Sequence, residues 1–192
     1  YNQTYTRFRN DDGNVADATW AASENTNVSI TVDTNFRLRT KTDISGFGIS
    51  SLTINLYYSL NGGAYIAIDT GTPVRFSATT YYSDNDTDDI ERLTSSYSVF
   101  SGARLKESTG GASFTWGDPV VPTEVEQEWC LQLDSSQVSA GDIIDFRTYR
   151  GTIALNVYSY TPRVTATSSQ SGTTHEGEAT FSSLSYLRTK KT

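Results

Sequence analysis

The sequence predicts an all-β fold, an antiparallel β-sandwich of the Ig-like or jelly-roll type with an extended C-terminal arm. Tyr, Thr, Ser and Val, which favour strands and turns, outnumber the usual helix formers. Segments of alternating apolar and polar residues recur, separated by clusters of Gly, Asn, Asp and Ser. With 36% hydrophobic and 12% aromatic residues, the chain can build a core. We therefore expect about eight to ten short strands in one sandwich.

The first alternating segments follow residue 27. In "VSITV", alternation places Val28, Ile30 and Val32 on one face of a strand. In "FRLRTK", it places Phe36 and Leu38 toward the core. Both segments are therefore predicted strands with one buried face.

A hairpin is predicted after the next strand. The segment "LTINLYYSL" aligns its apolar residues on one face, namely Leu52, Ile54, Leu56, Tyr58 and Leu60. "NGG" follows at residues 61–63, and Asn and Gly accept the positive φ that tight hairpin turns require. We expect "AYIAID" to be the return strand and "VRFSA" to continue the pattern.

The second half begins with an irregular region, residues 83–113, which we expect to form loops with one helical turn. In "TEVEQEWCLQLD", Trp129 shares a core face with Val125, Leu131 and Leu133, and Cys130 shares the opposite face with Glu residues. We expect Trp129 to be buried and the Cys130 thiol to be accessible. "IIDFRTY" and "IALNVYSY" predict a hairpin about Gly151, and "TPRVTA" is the predicted closing strand.

Composition divides the chain at residue 166, so we predict a sandwich domain over 1–166 and an arm over 167–192. The start of the arm is rich in Ser, Thr and Gly and would not fold alone. Its end carries an apolar set, predicted to form an assembly interface: Phe181, Leu184, Tyr186 and Leu187.

Charge and residue counts exclude several classes of function. The net charge of −7 argues against nucleic-acid binding, and no apolar run is long enough for a transmembrane helix. Cys130 is the only cysteine and His175 the only histidine, which excludes an internal disulfide and a three-His zinc site. We find no phosphate-binding loop, and we expect no enzymatic activity and no cofactor.

Calcium is the one cofactor that the sequence leaves open. "DNDTDD" places Asp84, Asp86 and Asp88 at alternating positions, and Ca²⁺ prefers such oxygen ligands. The Gly and distal Glu of an EF-hand loop are missing. We therefore interpret the segment as a solvated acidic loop.

Two short basic rows lie on predicted strands. Arg7 and Arg9 form one, and Arg37 and Arg39 form the other. One interpretation is that these rows face solvent and deter edge-to-edge aggregation, which we favour. The alternative is that they pair with the acidic row that includes Glu124, Glu126 and Glu128, within the subunit or across an interface.

The residue types of the segment "NDDG" are typical of a tight turn. Asp and Asn hydrogen-bond to their own backbone, and Gly supplies positive φ. We predict a structural role for Asp11, Asp12 and Gly13, and the alternative is metal ligation by the two aspartates.

Three tryptophans are candidates for sugar stacking. Trp129 lies on the core face and is assigned a structural role. Trp20 is predicted to plug one end of the sandwich, so that its truncation to Ala would cost about 3–5 kcal/mol. Trp116, in "FTWGDP", is the predicted ligand contact.

The segments "RFRNDDGNVADATW", "AASENTNVSITVDTNFRLR" and "LYYSLNGGAY" together resemble an Ig-like β-sandwich module of uncharacterised tailed-phage virion proteins and bacterial surface proteins. The likeness covers roughly residues 5–166. It implies a sandwich in a virion or extracellular setting, and it carries over no catalytic residues. The region 79–123 and the arm depart from the module.

The resemblance and the missing catalytic apparatus predict a non-enzymatic structural protein on the surface of a phage virion, as a capsid decoration or a tail or fibre component. Its expected partners are other virion proteins and copies of itself, with no nucleic acid and no membrane. The alternative is a secreted or cell-surface adhesin or carbohydrate-binding module that recognises a host glycan.

Overall fold

The computed structural model describes residues 1–45, 51–97, 99–115 and 122–169. Every regular element among these residues is a β-strand, which confirms the predicted all-β fold. None of them forms a helix that could cross a membrane. The strands are β1 (Asn2–Asn10), β2 (Val28–Thr31), β3 (Asn35–Ile44), β4 (Ser51–Leu60), β5 (Ile66–Ala67), β6 (Val74–Phe76), β7 (Thr87–Asp88), β8 (Phe100–Lys106), β9 (Ala112–Thr115), β10 (Thr123–Leu133), β11 (Ile143–Arg150), β12 (Ile153–Ala154), β13 (Val157–Tyr158) and β14 (Arg163–Thr167).

The strands form two sheets. Sheet A has the order β13-β1-β3-β10-β8-β7, and β6 also pairs with β10. Sheet B has the order β2-β14-β11-β4-β5, with β12 beside β11 and β9 beside β4. Most pairs are antiparallel, but β1–β13, β10–β8 and β14–β2 are parallel. Alternation within one strand does not indicate its partner's direction, so these parallel pairs were not predicted.

The hydrophobic core lies between the two sheets. Sheet A contributes Phe8, Leu38 and Trp129, and sheet B contributes Ile54 and Phe146, all excluded from solvent. Aromatic rings join the sheets across this core, with 6.4 Å between the centroids of Phe8 and Phe146. The core faces that alternation predicted for β3, β4 and β10 are therefore confirmed.

Two predicted hairpins are present. At the first, Asn61 and Gly62 have φ values of 51° and 75°, the left-handed conformation that a type I′ turn requires at both central residues. At the second, Gly151 has φ 57° between β11 and β12. The return strands are shorter than predicted, and "VY" at 157–158 leaves the second hairpin to pair with β1.

The two sheets differ in what covers their outer faces. In sheet B, β4 and β11 alternate between buried and accessible residues, as expected for a sheet with one wet face. In sheet A, β3 and β10 are buried almost continuously on both faces. The region after β6 contains strands β7 and β8, where loops and one helical turn were predicted, and it covers sheet A together with the β1–β2 connection. The favoured prediction that the basic rows face solvent is therefore wrong for Arg9, Arg37 and Arg39.

Candidate functional site

The outer face of sheet A carries a charged layer that solvent does not reach. The antiparallel register of β3 and β10 places Arg39 opposite Glu128 and Lys41 opposite Glu126. The members of this charged layer are Arg9, Arg37, Arg39, Lys41, Glu124, Glu126 and Glu128, each no more than 1% exposed. The alternative interpretation of the basic rows, pairing with the acidic row within the subunit, is what the structure contains.

Arg39 is the centre of the charged layer. Its Nε donates to Glu126 Oε2 at 2.6 Å, Nη1 donates to Glu128 Oε2 at 2.9 Å, and Nη2 donates to Asp88 Oδ2 at 3.0 Å. Burial alone would lower the pKa of Arg39, but Glu128 and Glu126 outweigh it and hold the pKa above its ordinary value. The guanidinium therefore stays charged and joins β3, β10 and the β7 region.

Arg37 fastens the "NDDG" segment to the same layer. Its Nε donates to Asp11 Oδ1 at 2.7 Å, and its Nη2 donates to the Gly13 carbonyl at 2.7 Å. Asp12 accepts hydrogen bonds from the Thr19 amide and hydroxyl at 2.9 and 2.5 Å. Asp11 and Asp12 thus hold this corner in place. Gly13 is not in the predicted left-handed conformation; the chain approaches itself closely there, since a Cβ would lie 3.0 Å from the backbone nitrogen of Ala18.

Lys41 fastens the segment that precedes β8. Its ammonium pairs with Glu91 and, at 3.2 Å, with Glu124. It also donates to the carbonyl of Thr94 at 2.7 Å. Glu126 accepts from the Leu93 amide at 2.9 Å, so backbone and side chains together close this part of the layer.

Trp20 and Cys130 differ from their predicted environments. Trp20 is half-buried and lies over the guanidinium groups of Arg7 and Arg9, at 4.3 and 4.5 Å from the ring centroid. It covers the outer face of sheet A and does not plug the end of the sandwich. Cys130 points away from Trp129, as predicted, but it is fully buried beneath Tyr82. The expected accessible thiol is therefore wrong, because a loop covers that face.

The three aspartates of "DNDTDD" have separate partners. Asp84 accepts from Lys106 Nζ at 2.7 Å, Asp86 from the Ser83 amide at 2.8 Å, and Asp88 from Arg92 Nε at 2.6 Å. In the described ranges, no three His, Cys, Asp or Glu residues group as metal ligands would. Asp88 is itself buried, so the segment is not simply a solvated loop.

Two predicted contacts lie outside the described residues. One is Trp116, the predicted ligand contact. The other is the apolar set of the arm, Phe181, Leu184, Tyr186 and Leu187.

The accessible face of sheet B carries tyrosine and arginine side chains in contact with one another. We call it the Tyr–Arg surface, and its members are Tyr57, Tyr65, Arg147 and Tyr149, joined by Tyr158 from β13 of sheet A. Tyr57 and Tyr149 are diagonal neighbours on β4 and β11, and their rings stack with 4.0 Å between centroids. Arg147 lies over the rings of Tyr65 and Tyr158, at 4.5 and 4.7 Å from their centroids.

The Tyr–Arg surface is ordered by its own contacts. The Tyr158 hydroxyl donates to the Thr148 carbonyl at 2.8 Å and accepts from the Leu155 amide at 3.0 Å. Burial raises the pKa of Tyr65 and of Tyr158, so both phenols are neutral at physiological pH. Sequence reasoning did not single out this surface, although alternation in "DFRTY" already places Arg147 and Tyr149 on the face opposite Phe146.

Ring geometry restricts what this surface can bind. A sugar stacks on an open aromatic face, and these contacts cover one of the two faces of each ring: Tyr57 and Tyr149 cover each other, and Arg147 covers Tyr65 and Tyr158. Tyr and Arg are the residue types enriched at the centres of protein interfaces. The arrangement is thus more typical of a protein contact than of a sugar platform.

Comparisons of the chain with protein-family models, with curated proteins and with solved structures gave no match. The geometry and chemistry of the described residues are therefore the basis for the proposals below.

Proposed function

We propose that this protein is a non-enzymatic structural component of a tailed-phage virion surface, a capsid decoration or a tail or fibre component, that acts by binding neighbouring protein subunits. The observation that carries the binding mode is the Tyr–Arg surface on the open face of sheet B. The virion setting rests on the resemblance of residues 5–166 to the phage module.

Cavity size also argues against a small-molecule ligand. A cavity of about 150 Å³ beside Ile68 and Phe76 is smaller than the roughly 300–1,000 Å³ of typical small-molecule sites.

Particle fractionation tests this proposal. Particles from the source culture would be separated on a density gradient, and each fraction would be assayed for this chain and for a major capsid protein. We expect the chain to sediment with the particles at a constant ratio to the capsid protein. A chain that is found only among free proteins would contradict the virion role.

Glycan binding is the second candidate, because a tyrosine cluster on a flat sheet face is also where sugars are bound. It predicts saturable binding of a glycan by the isolated chain, lost in Tyr149→Ala and kept in Tyr81→Ala, a control on the sheet A side. If neither glycan binding nor sedimentation with particles is observed, both candidates fail.

A further inference from the structure

Arg147 differs from the other arginines in the described part of the chain. Each of the others donates a hydrogen bond to an oxygen of the protein. Arg147 has no such bond and no salt bridge among the described residues, and its Nε is fully buried without a partner. A buried donor without an acceptor is costly, and the two Nη groups, which are not buried and make no hydrogen bond to the described residues, are open to a ligand.

The side chain is nevertheless held in one position. It lies between the rings of Tyr65 and Tyr158, and Tyr158 is fixed by two hydrogen bonds. Cation–π contacts use the electrons of the rings and satisfy none of the guanidinium N–H donors. Arg147 is therefore a pre-positioned cation whose donors still need oxygen acceptors.

The neighbouring charges favour an anionic ligand. Asp145, two residues earlier on the same face, is already held by both Nε and Nη2 of Arg163, at 2.7 and 3.0 Å. Arg147 is therefore left without a carboxylate partner among the described residues, in a chain whose net charge is −7.

A carboxylate fits this site best. Its two oxygens match the planar fork of a guanidinium and can accept two parallel hydrogen bonds. We propose that Arg147 anchors an Asp or Glu side chain of a protein partner that docks on the Tyr–Arg surface. This inference rests on the proposed function, in which that surface contacts protein, and it adds the chemistry of the partner.

The test is a titration of the isolated full chain with a hexaglutamate peptide, followed by NMR of arginine Nε–H groups. We expect a saturable shift of the Arg147 signal, and no shift with a hexaglutamine peptide. Arg147→Gln should weaken binding by at least about tenfold, because a charge-assisted hydrogen bond is lost, and Arg147→Lys should weaken it by less. Arg75→Gln, an accessible arginine on sheet A, is the control and should bind like the wild type.

Three outcomes would overturn the inference. They are the absence of a saturable shift at Arg147 with millimolar peptide, equal binding by Arg147→Gln, and tighter binding of a glucuronate oligosaccharide than of the peptide at the same residue. Thermal melting of each variant would show that it is folded. The titration needs no particle, so it can fail while the chain still sediments with particles, and the reverse also holds.

Discussion

Arg39 and Glu126 form a 2.6 Å hydrogen-bonded ion pair, Nε to Oε2, that solvent does not reach. The pair joins β3 to β10 on the face of sheet A that lies away from the sandwich core. Glu126 also accepts the Leu93 amide, so the same carboxylate fixes the segment that covers it. The charged layer is thus a buried network of ion pairs, separate from the hydrophobic core between the sheets.

Glu126→Gln should lower the free energy of unfolding by about 3–5 kcal/mol, because it leaves the buried Arg39 without a full set of negative partners. Urea unfolding followed by circular dichroism measures the loss. Asp145→Asn is the control, since it breaks the pair with Arg163, which is 46% exposed, and should cost far less. Equal losses in the two variants would mean that the layer is not sealed from water.

The Cys130 thiol should react with Ellman's reagent far more slowly in the native chain than in urea. Burial, with a contribution from Asp11, raises the pKa of this thiol above its usual value, and the thiolate is the reactive form. Tyr82→Ala should speed labelling, because Tyr82 packs over the sulfur. Fast labelling of the native wild type would show that the cover opens readily.

Trp20→Ala should cost about 1–2 kcal/mol, less than the core truncation predicted from sequence, because the half-exposed ring mainly contributes contacts with Arg7 and Arg9. Trp129→Ala removes a fully buried ring and should cost about 3–5 kcal/mol. Chemical unfolding of both variants gives the comparison, and a larger loss for Trp20→Ala would reverse this assignment.

Acid should destabilise the packing of the β7 region against the outer face of sheet A. Burial alone would raise the pKa of Asp88, but the hydrogen bond from Arg92 and the charge of Arg39 outweigh it, so the pKa lies below its usual value. A depressed folded pKa stabilises the native state above the unfolded pKa of about 3.9, and this stabilisation is lost as pH falls through the folded value.

We therefore expect the free energy of unfolding to fall as the pH drops below about 4, with a smaller fall in Asp88→Asn. Asp17→Asn, an exposed acid in the β1–β2 connection, is the control and should retain the wild-type pH dependence. Identical pH dependence in Asp88→Asn and the wild type would exclude Asp88 as the titrating group.

Removal of residues 170–192 should leave the fold intact and impair assembly. The cut is placed after Ser169 because β14 extends through Thr167, one residue beyond the predicted end of the sandwich. The Thr167 carbonyl accepts from the Val32 amide at 2.9 Å. Melting and particle attachment of the truncated chain are the measurements. Normal attachment would contradict the assembly role of the arm, and loss of folding would make the arm part of the domain.

Alternation along single strands was enough to predict which residues share a face. Phe36 and Leu38 on β3 and Trp129 on β10 lie in the core for this reason, and Arg37, Arg39 and Cys130 lie on the opposite side. The turn chemistry of "NGG" likewise predicted a hairpin, because positive φ is a local property of Asn and Gly.

Only the tertiary structure decided what covers each face. The period of a strand is the same whether its polar side meets water or another segment of the chain, so the sequence could not predict that the region between β6 and β8 covers Arg39 and Cys130. The Tyr–Arg surface has the same origin: Tyr57 and Tyr149 are far apart in sequence, and only the pairing of β4 with β11 stacks their rings. Burial and ring contacts depend on long-range packing, which local sequence patterns do not encode.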